Sequence, residues 1–498
     1  MKVILGIDIG TSSVKAMLLD AEKGVIAVHA KSYEVDIPQT GFAQQNPQMW
    51  WDALLEVFQQ LKAETPDAYR NIKGIGFSGQ MHGLVLVDKE GEVLRPAIIW
   101  LDQRSQKQMR EIEEVLNQEQ MGELLRNRIS CGFAFPSLLW VKEEEPDLFA
   151  RTAAVLCPKD YLRLKITGKS GAEVVDASST GMFATAKRDW AWDLLEQFDL
   201  PKEIFPDAAE SGEIAGYVTE EAARETGLPA GIPVIYGAGD QPAQSIGNGV
   251  TKEGKLISNI GTGGQISAFS KTPVYDKQLR TNTFCHAVKE AYTIFGATLC
   301  AGMSMNWAKN KVLCVDNYEQ VNAWAGSVNP GSDGLIYLPY LSGERTPHLN
   351  PKAKGMFFGI TLGHENGHFL RAVMEGVTYS LKDCLLLLKQ MGVDAPMIIA
   401  SGGGAASPLW LQIQADILDR EVCVCNEKEQ ACLGACILAG TSIGIFQSLE
   451  EGCERFVKMN EKIYVPNPVN REIYEERFGV YRELYERTKD LMYLSSSR

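Results

Sequence analysis

Two aspartates stand where a carboxylate could meet a ligand. Asp8 lies near the end of the apolar run Val3–Ile9, and a carboxylate in such a run is costly unless it is paired or bound to a metal. Mg²⁺ is commonly held by one or two carboxylates together with substrate phosphates, so Asp8 is either a metal ligand or a solvated acid at a strand end. Asp240 follows a second apolar run and precedes Gln241-Pro242. It is either a helix N-cap or a general base that accepts the proton of a substrate hydroxyl.

Three glycine-rich turns could hold phosphate groups. They consist of Gly10, Thr11 and Ser12; Gly261, Thr262 and Gly263; and Gly402, Gly403 and Gly404. Small residues let the backbone approach an anion with its N–H groups, and the third turn lies between a strand-like and a helical segment, a frequent nucleotide-binding arrangement. Plain hairpin turns use the same residue types. The chain has no Gly-x-x-x-x-Gly-Lys-Ser/Thr motif, which excludes a P-loop NTPase.

The first two turns repeat each other. Residues 8–16 align with residues 259–267, and each copy reads as an apolar strand, a Gly-Thr turn and a second apolar strand. The alignment predicts two copies of one supersecondary unit, although so short a match also arises by chance.

A polar segment between two glycines follows the predicted strand 72–78. Its side chains, those of Gln80, Met81 and His82, suit a pocket that hydrogen-bonds a polyol, although a lone histidine is more often structural. Asp102 precedes Arg104 by two residues, and by itself this pair is typical of an ordinary strand end with a surface ion pair.

The composition excludes several classes of protein. A chain of 498 residues, 45% hydrophobic and 22% charged, is ordinary for a globular protein of two or more domains. Its formal net charge of -14 opposes nonspecific binding of nucleic acid or anionic membranes. The sequence shows neither a secretory signal nor an apolar stretch long enough to span a bilayer.

The eleven cysteines lie in apolar surroundings and predict buried thiols in a reducing cytoplasm. A group of four could be imagined as a zinc site, but its spacing favours structural cysteines; it comprises Cys423, Cys425, Cys432 and Cys436.

These candidate residues need a scaffold of α/β type. The first forty residues predict an antiparallel meander, followed by a helix over 47–62, a strand over 72–78, a strand pair near Gly91 and a helix-rich segment over 105–164. If the repeat is real, the chain divides near 245–255, giving lobes 1–246 and 247–498. The C-terminal segment from Pro466 reads as a charged amphipathic helix whose lobe the sequence does not indicate.

Taken together, the motifs resemble those of the FGGY carbohydrate kinases over nearly the whole chain. The matching segments are 6–11, 41–47, 237–240, 355–359, 368–375 and 401–410. The resemblance implies two ribonuclease-H-like lobes, as in actin and hexokinase, that close over ATP, Mg²⁺ and a sugar. It also implies that Asp240 is the catalytic base and that 401–410 binds adenosine.

Within that family, Gln80-Met81-His82-Gly83 resembles the form in members that phosphorylate D-xylulose. The resemblance also implies that Asp102 falls at a position that contacts the sugar. Family members that act on ribulose, gluconate or glycerol remain alternatives, as does a noncatalytic actin-like protein. The resemblance leaves a homodimer open.

Three positions depart from the family pattern. Gly263 stands where many relatives have a serine, Ser137 stands where a lysine is usual, and Leu101 and Gln103 flank Asp102 where many relatives have Asn-Asp. The last departure lies near the expected sugar site and weakens the assignment of substrate more than that of family.

Overall fold

The computed structural model describes residues 1–495. The strands of the first half are β1 Val3–Ile9, β2 Ser13–Asp20, β3 Gly24–Ser32, β4 Gln44–Gln45, β5 Ile72–Gly79, β6 Val85–Val87, β7 Ala97–Ile98, β8 Ala154–Leu156, β9 Ala172–Glu173, β10 Phe183–Ala184, β11 Asp189–Trp190, β12 Ala208–Ala209, β13 Ile214–Tyr217, β14 Pro233–Ile235 and β15 Ala238–Gly239. Those of the second half are β16 Lys255–Ile260, β17 Gly264–Ser270, β18 Asn282–Cys285, β19 Tyr292–Thr298, β20 Ile336–Leu338, β21 Met356–Phe358, β22 Met397–Ser401 and β23 Glu421–Val424.

Helices cover the sheets and fill the space between them. Those of the first half are α1 Pro47–Glu64, α2 Pro66–Arg70, α3 Gln106–Val115, α4 Gln118–Leu124, α5 Ala134–Glu144, α6 Pro146–Phe149, α7 Pro158–Thr167, α8 Val174–Ser179, α9 Trp192–Gln197, α10 Glu220–Thr226 and α11 Asp240–Gly247. Those of the second half are α12 Gly302–Trp307, α13 Tyr318–Gly326, α14 Asn366–Gln390, α15 Pro408–Leu418, α16 Gln430–Ser442, α17 Leu449–Phe456 and α18 Pro468–Ser495.

Two large sheets share one topology. In the first, the antiparallel strands β3, β2 and β1 are continued by the parallel strands β5 and β14. In the second, β19, β17 and β16 are continued in the same way by β22 and β23. This shared order is that of a ribonuclease-H-like lobe, so the predicted fold of two actin-like lobes is confirmed.

The repeat seen in the sequence is a repeat of structure. Asp8 pairs with Lys15 across the first hairpin, and Asn259 pairs with Gln265 across the second. Each hairpin joins its strands through three residues. The aligned segments therefore occupy equivalent places in the two lobes, and the predicted duplication is confirmed.

Most local predictions hold. The meander, the helix after Pro47, the strand over 72–78 and the helix-rich segment are all present. The predicted strand pair near Gly91 is wrong, because only an isolated bridge joins Val87 to Val93 there and β6 pairs with β8 instead.

Helix α16 connects the two halves of the chain. It lies against α11 and crosses β1 and β5 of the first sheet. Glycines permit this approach, since a Cβ at Gly6 would lie 2.3 Å from the carbonyl oxygen of Cys432, and one at Gly76 would lie 2.1 Å from that of Ala435. Because a helix of the second half covers the first sheet, the division into 1–246 and 247–498 stays a prediction.

The C-terminal helix α18 packs on the second lobe, against α14, α15 and β20. Among the described residues, no helix has the length and apolar character needed to cross a membrane. All eleven cysteines are free thiols, and only Cys314 is exposed, which agrees with the prediction of buried structural cysteines.

Candidate active site

A cavity of about 490 Å³ lies between the two sheets. The first half contributes Thr11, Met81, His82 and Asp240 to its wall, and the second half contributes both hairpin strands and residues 261–263. The structure thus brings together five of the predicted elements. The other predicted site residues lie outside this lining: Asp8, Gly10, Ser12, Gln80, Asp102 and the three glycines 402–404.

Each hairpin has two backbone N–H groups free to meet an anion. In the first, Gly10 N donates to Ser13 O, and the carbonyls of Gly10, Thr11 and Ser12 accept from Tyr33 Oη, Gln45 Nε2 and Tyr33 N. The amides of Thr11 and Ser12 have no hydrogen-bond partner within residues 1–495.

The second hairpin repeats this arrangement. Gly261 N donates to Gly263 O, while the carbonyls of Gly261 and Thr262 accept from residues at the start of α12. Within the same described range, the amides of Thr262 and Gly263 are likewise without a partner. Two facing pairs of free amides are suited to bind the phosphate chain of a nucleotide.

Asp240 is the first residue of α11, and Gly239 is its N-cap. Of the two alternatives for Asp240, the helix N-cap is therefore wrong, because Gly239 occupies the N-cap position. Burial and the nearby charge of Asp8 raise the pKa of Asp240 to about 7, against a smaller opposing effect of the Gln241 amide. A carboxylate of this kind can accept a proton near neutral pH.

Asp8 lies near the end of β1, and strand β5 separates β1 from β15, which leads to Asp240. Its Oδ1 accepts a hydrogen bond of 2.7 Å from Ser78, its partner in the register with β5. Burial raises the pKa of Asp8, partly offset by Ser78 and Lys15. Lys15 does not neutralise Asp8 directly, since its ammonium lies 2.5 Å from Glu429 at the start of α16.

The carboxyl ends of β1, β5 and β15 meet at one edge of the first sheet, which explains why these groups are neighbours. Gly239 pairs with Gly79, so Asp240 and Gln80 leave adjacent strand ends. A Cβ at Gly239 would lie 2.5 Å from Met81 Cγ. Glycine at 239 therefore lets the Met81 side chain lie against the backbone that precedes Asp240.

His82 is held in one tautomer. Its Nδ1 lies 2.7 Å from the carbonyl oxygen of Ser179, which can only accept, so Nδ1 carries the proton and Nε2 is an acceptor. Its ring stacks on Phe133 at 4.5 Å. Burial lowers the pKa of His82 to about 4, with a smaller lowering from Arg345, so the ring is neutral at pH 7. A neutral acceptor in this cavity suits a sugar hydroxyl.

Gln80 is held in place by side-chain hydrogen bonds to two residues of the first lobe. Its Nε2 donates to Gln45 at 3.0 Å and its Oε1 accepts from Thr11 Oγ1 at 3.3 Å. Gln45 in turn donates to the carbonyl of Thr11. Gln80 is 1% exposed and links segment 80–82 to the first hairpin, and its contact with substrate stays a prediction.

Asp102 is also turned inward. Its carboxylate accepts from the Ala43 amide at 2.6 Å and pairs with Arg104, and both side chains are almost fully buried. The ion pair expected at the surface is thus internal, and Arg104 lies over the ring of Phe42 at 4.0 Å. The structure gives Asp102 no free oxygen for a sugar, and its sugar contact stays a prediction.

The third glycine turn lies beside the second hairpin. Gly402 has a φ of 73°, and a Cβ there would lie 2.4 Å from Asn259 Oδ1 and 2.6 Å from the Ile260 carbonyl. A short 3₁₀ helix, Gly403–Ala406, follows, and then α15 capped by Ser407. These glycines form the edge of the second lobe next to the phosphate hairpin, as an adenosine site requires.

Trp100 and Arg345 are among the cavity-lining residues that sequence reasoning missed. Trp100 donates its indole N–H to Thr11 Oγ1 at 2.9 Å. Arg345 enters from the second half. Neither stands in a local pattern of chemical meaning, because both act through partners distant in sequence.

Comparison with known proteins agrees with this geometry. Profiles described as the FGGY family of carbohydrate kinases, N-terminal domain and C-terminal domain, match residues 3–247 and 256–443. The chain belongs to the FGGY family of carbohydrate kinases. It is therefore a carbohydrate kinase, and ATP is the phosphate donor of that family.

Three relatives illustrate the range. The chain is 36% identical to the xylulose kinase of Bacillus subtilis (strain 168) over 491 residues, 99% of this chain and 98% of that protein. It is 30% identical to the gluconokinase of the same organism over 460 residues, 90% and 89% of the two chains. The crystal structure of xylulose kinase from Rhodospirillum rubrum superposes with a TM-score of 0.93 at 29% identity, covering 99% of this chain and 100% of that one.

Proposed function

We propose that this kinase transfers the γ-phosphoryl group of ATP to D-xylulose, giving D-xylulose 5-phosphate. The observation that carries the proposal is Asp240, the first residue of α11, whose carboxyl has a raised pKa in a cavity lined by both hairpins. The choice of sugar rests on the full-length similarity to xylulose kinases and on Met81 and His82 in the cavity wall.

Asp240 performs the proton transfer. The 5-hydroxyl of the sugar gives its proton to the Asp240 carboxylate while its oxygen attacks the γ-phosphorus, and the bond to the β,γ-bridging oxygen breaks to release ADP. In phosphoryl transfer the transition state is loose and the hydroxyl becomes acidic late, so positioning matters more than base strength. The place of Asp240 at the start of α11, directly after a strand paired with β5, provides that positioning.

The free amides of the two hairpins bind the phosphate chain, one pair from each lobe. The small side chains of the third turn leave room for adenosine beside Asn259. Closure of the lobes then brings the donor and the acceptor together and excludes water.

Asp8 fits a magnesium ion. Mg²⁺ prefers oxygen ligands and keeps several waters. The negative charges of Asp8 and Asp240 repel each other in a buried space, and a hard cation would relieve this repulsion. Asp8 would hold the ion through its carboxylate, directly or through water. When bound, the ion would neutralise charge on the transferring phosphoryl group. Ser78 orients the Asp8 carboxylate for this role.

A coupled ADP assay with D-xylulose, D-ribulose, gluconate and glycerol tests the proposal. We expect kcat/KM to be highest for D-xylulose. A clearly higher value for gluconate, which the similarity to gluconokinase makes the foremost alternative, would contradict the assignment of D-xylulose and leave the family assignment intact. Sugar-independent ADP release alone would contradict the kinase mechanism.

A further inference from the structure

The cavity wall contains three arginines, and two of them are already paired. Arg128 lies 3.1 Å from Glu113, and Arg280 forms two hydrogen bonds of 2.8 Å to Asp276. Within residues 1–495, the guanidinium of Arg345 has neither a hydrogen bond nor an ion pair. Arg345 is thus the cation of this cavity that is free to bind a ligand.

The backbone around Arg345 is fixed on both sides. Glu344 accepts hydrogen bonds from the amides of Leu299 and Arg345, at 2.9 and 2.7 Å. Thr346 exchanges two hydrogen bonds with Ala297 at the end of β19. Glu344 and Thr346 are almost fully buried, whereas the side chain of Arg345 is exposed to the cavity. The segment therefore presents one guanidinium from a rigid support.

Arg345, His82 and Asp240 line the same cavity. In the proposed function the phosphorylated hydroxyl lies beside the Asp240 carboxylate, so the rest of the acceptor extends along the wall that includes His82 and Arg345.

We propose that Arg345 anchors the end of the acceptor remote from the phosphorylated hydroxyl. For D-xylulose, which rests on the proposed function above, its N–H groups donate to the C2 carbonyl and to the 1-hydroxyl oxygen in a bidentate manner. His82 Nε2 accepts from a neighbouring hydroxyl. A donor-only group and an acceptor-only group side by side distinguish a ketose from its analogues, because each misplaced oxygen leaves a buried group unpaired.

Arg345→Met and Arg345→Lys test this role. Met removes the donors, and Lys keeps the charge without the planar fork. Loss of hydrogen bonds from a charged group should raise KM for D-xylulose by about ten- to a hundredfold in the Met variant, with kcat and KM for ATP little changed. Arg151→Met, whose guanidinium is 68% exposed and outside the cavity lining, is the matched control and should behave as wild type.

A second substrate makes the test specific. 1-Deoxy-D-xylulose lacks the 1-hydroxyl, so the wild type should prefer D-xylulose to it, and the preference should collapse in Arg345→Met. An unchanged KM, or an unchanged preference between the two sugars, would overturn the proposal. Because the guanidinium has no protein partner, melting temperatures should match wild type; if the Met variant melts early, the same comparison is made with Arg345→Lys.

Failure of the substrate assignment can be told apart from failure of this inference. If the wild type prefers gluconate, the D-xylulose assignment fails, and the gluconate carboxylate then occupies the Arg345 end. KM for gluconate should rise in Arg345→Met if the anchor is real. An unchanged KM for gluconate would overturn it.

Discussion

The two hairpins have the same backbone and different chemistry. Asp8 pairs with Ser78 in the first lobe, and Asn259 pairs with Ser401 at the equivalent place in the second. A neutral amide thus stands in the second lobe where the first lobe has a carboxylate. Under the proposed mechanism, the duplicated scaffold provides two pairs of amides for phosphate, and the charge for metal binding and proton transfer lies in the first lobe.

The strand ends beside the hairpins differ in the same sense. After Ser78, the first lobe continues through Gly79 into segment 80–82, of which Met81 and His82 line the cavity. After Ser401, the second lobe continues through Gly402 into Gly403 and Gly404 of the third glycine turn, beside the second hairpin. Under the proposed function, one topological position therefore serves acceptor specificity in the first lobe and donor binding in the second.

The largest expected effect comes from removing the base of the first lobe. Asp240→Asn keeps the shape of the side chain and should lower kcat by about a hundredfold to ten-thousandfold. The fold should not suffer, because a raised pKa means that ionisation of Asp240 above about pH 7 costs stability, a cost that asparagine lacks. Kinetics at saturating D-xylulose and a thermal melt at pH 8 check both parts. Turnover near wild type would remove Asp240 from the mechanism.

Exchanging the residue types of Asp8 and Asn259 tests the comparison between the two lobes. Asp8→Asn makes the first hairpin resemble the second and should lower kcat by about a hundredfold while raising the Mg²⁺ concentration needed. Asn259→Asp, the reciprocal change, should leave Mg²⁺ dependence nearly unaltered and raise KM for ATP, since it adds negative charge beside the phosphate hairpin. Titration of activity with Mg²⁺ decides; equal Mg²⁺ dependence in both variants would contradict the division of roles.

A smaller effect is expected from backbone crowding in the second hairpin. A Cβ at Gly263 would lie 2.6 Å from the Thr298 carbonyl, whereas one at Gly261 would meet nothing closer than 3.9 Å. Overpacking of this kind costs about 1–3 kcal/mol, so Gly263→Ala should raise KM for ATP by about tenfold, and Gly261→Ala serves as its control. Similar ATP kinetics in the two variants would show that hairpin geometry does not limit binding.

Much of this fold could be predicted from sequence because its signals are local. Alternating apolar runs around Gly-Thr turns indicate the two hairpins, and the position of Asp240 after a strand indicates its place at a sheet edge. The inward hydrogen bonding of Gln80 and Asp102 could not be predicted, because their partners are remote in sequence. Gln80 is bonded to Gln45, and Asp102 to the amide of Ala43. The sequence around Arg345 does not indicate that Glu344 and Thr346 are held by hydrogen bonds while the Arg345 side chain faces the cavity.

The pH dependence of kcat/KM for the sugar, measured at saturating ATP and at a series of free Mg²⁺ concentrations, tests the central claim most directly. Asp240 must be ionised to accept the proton, and its pKa is raised to about 7 by burial and by Asp8. Activity should therefore fall as the pH is lowered through about 7, and a higher concentration of free Mg²⁺ should move this limb to lower pH, because a cation favours the ionised carboxylate. An acidic limb that stays near pH 4 at every Mg²⁺ concentration, as for an ordinary solvated aspartate, would contradict the account.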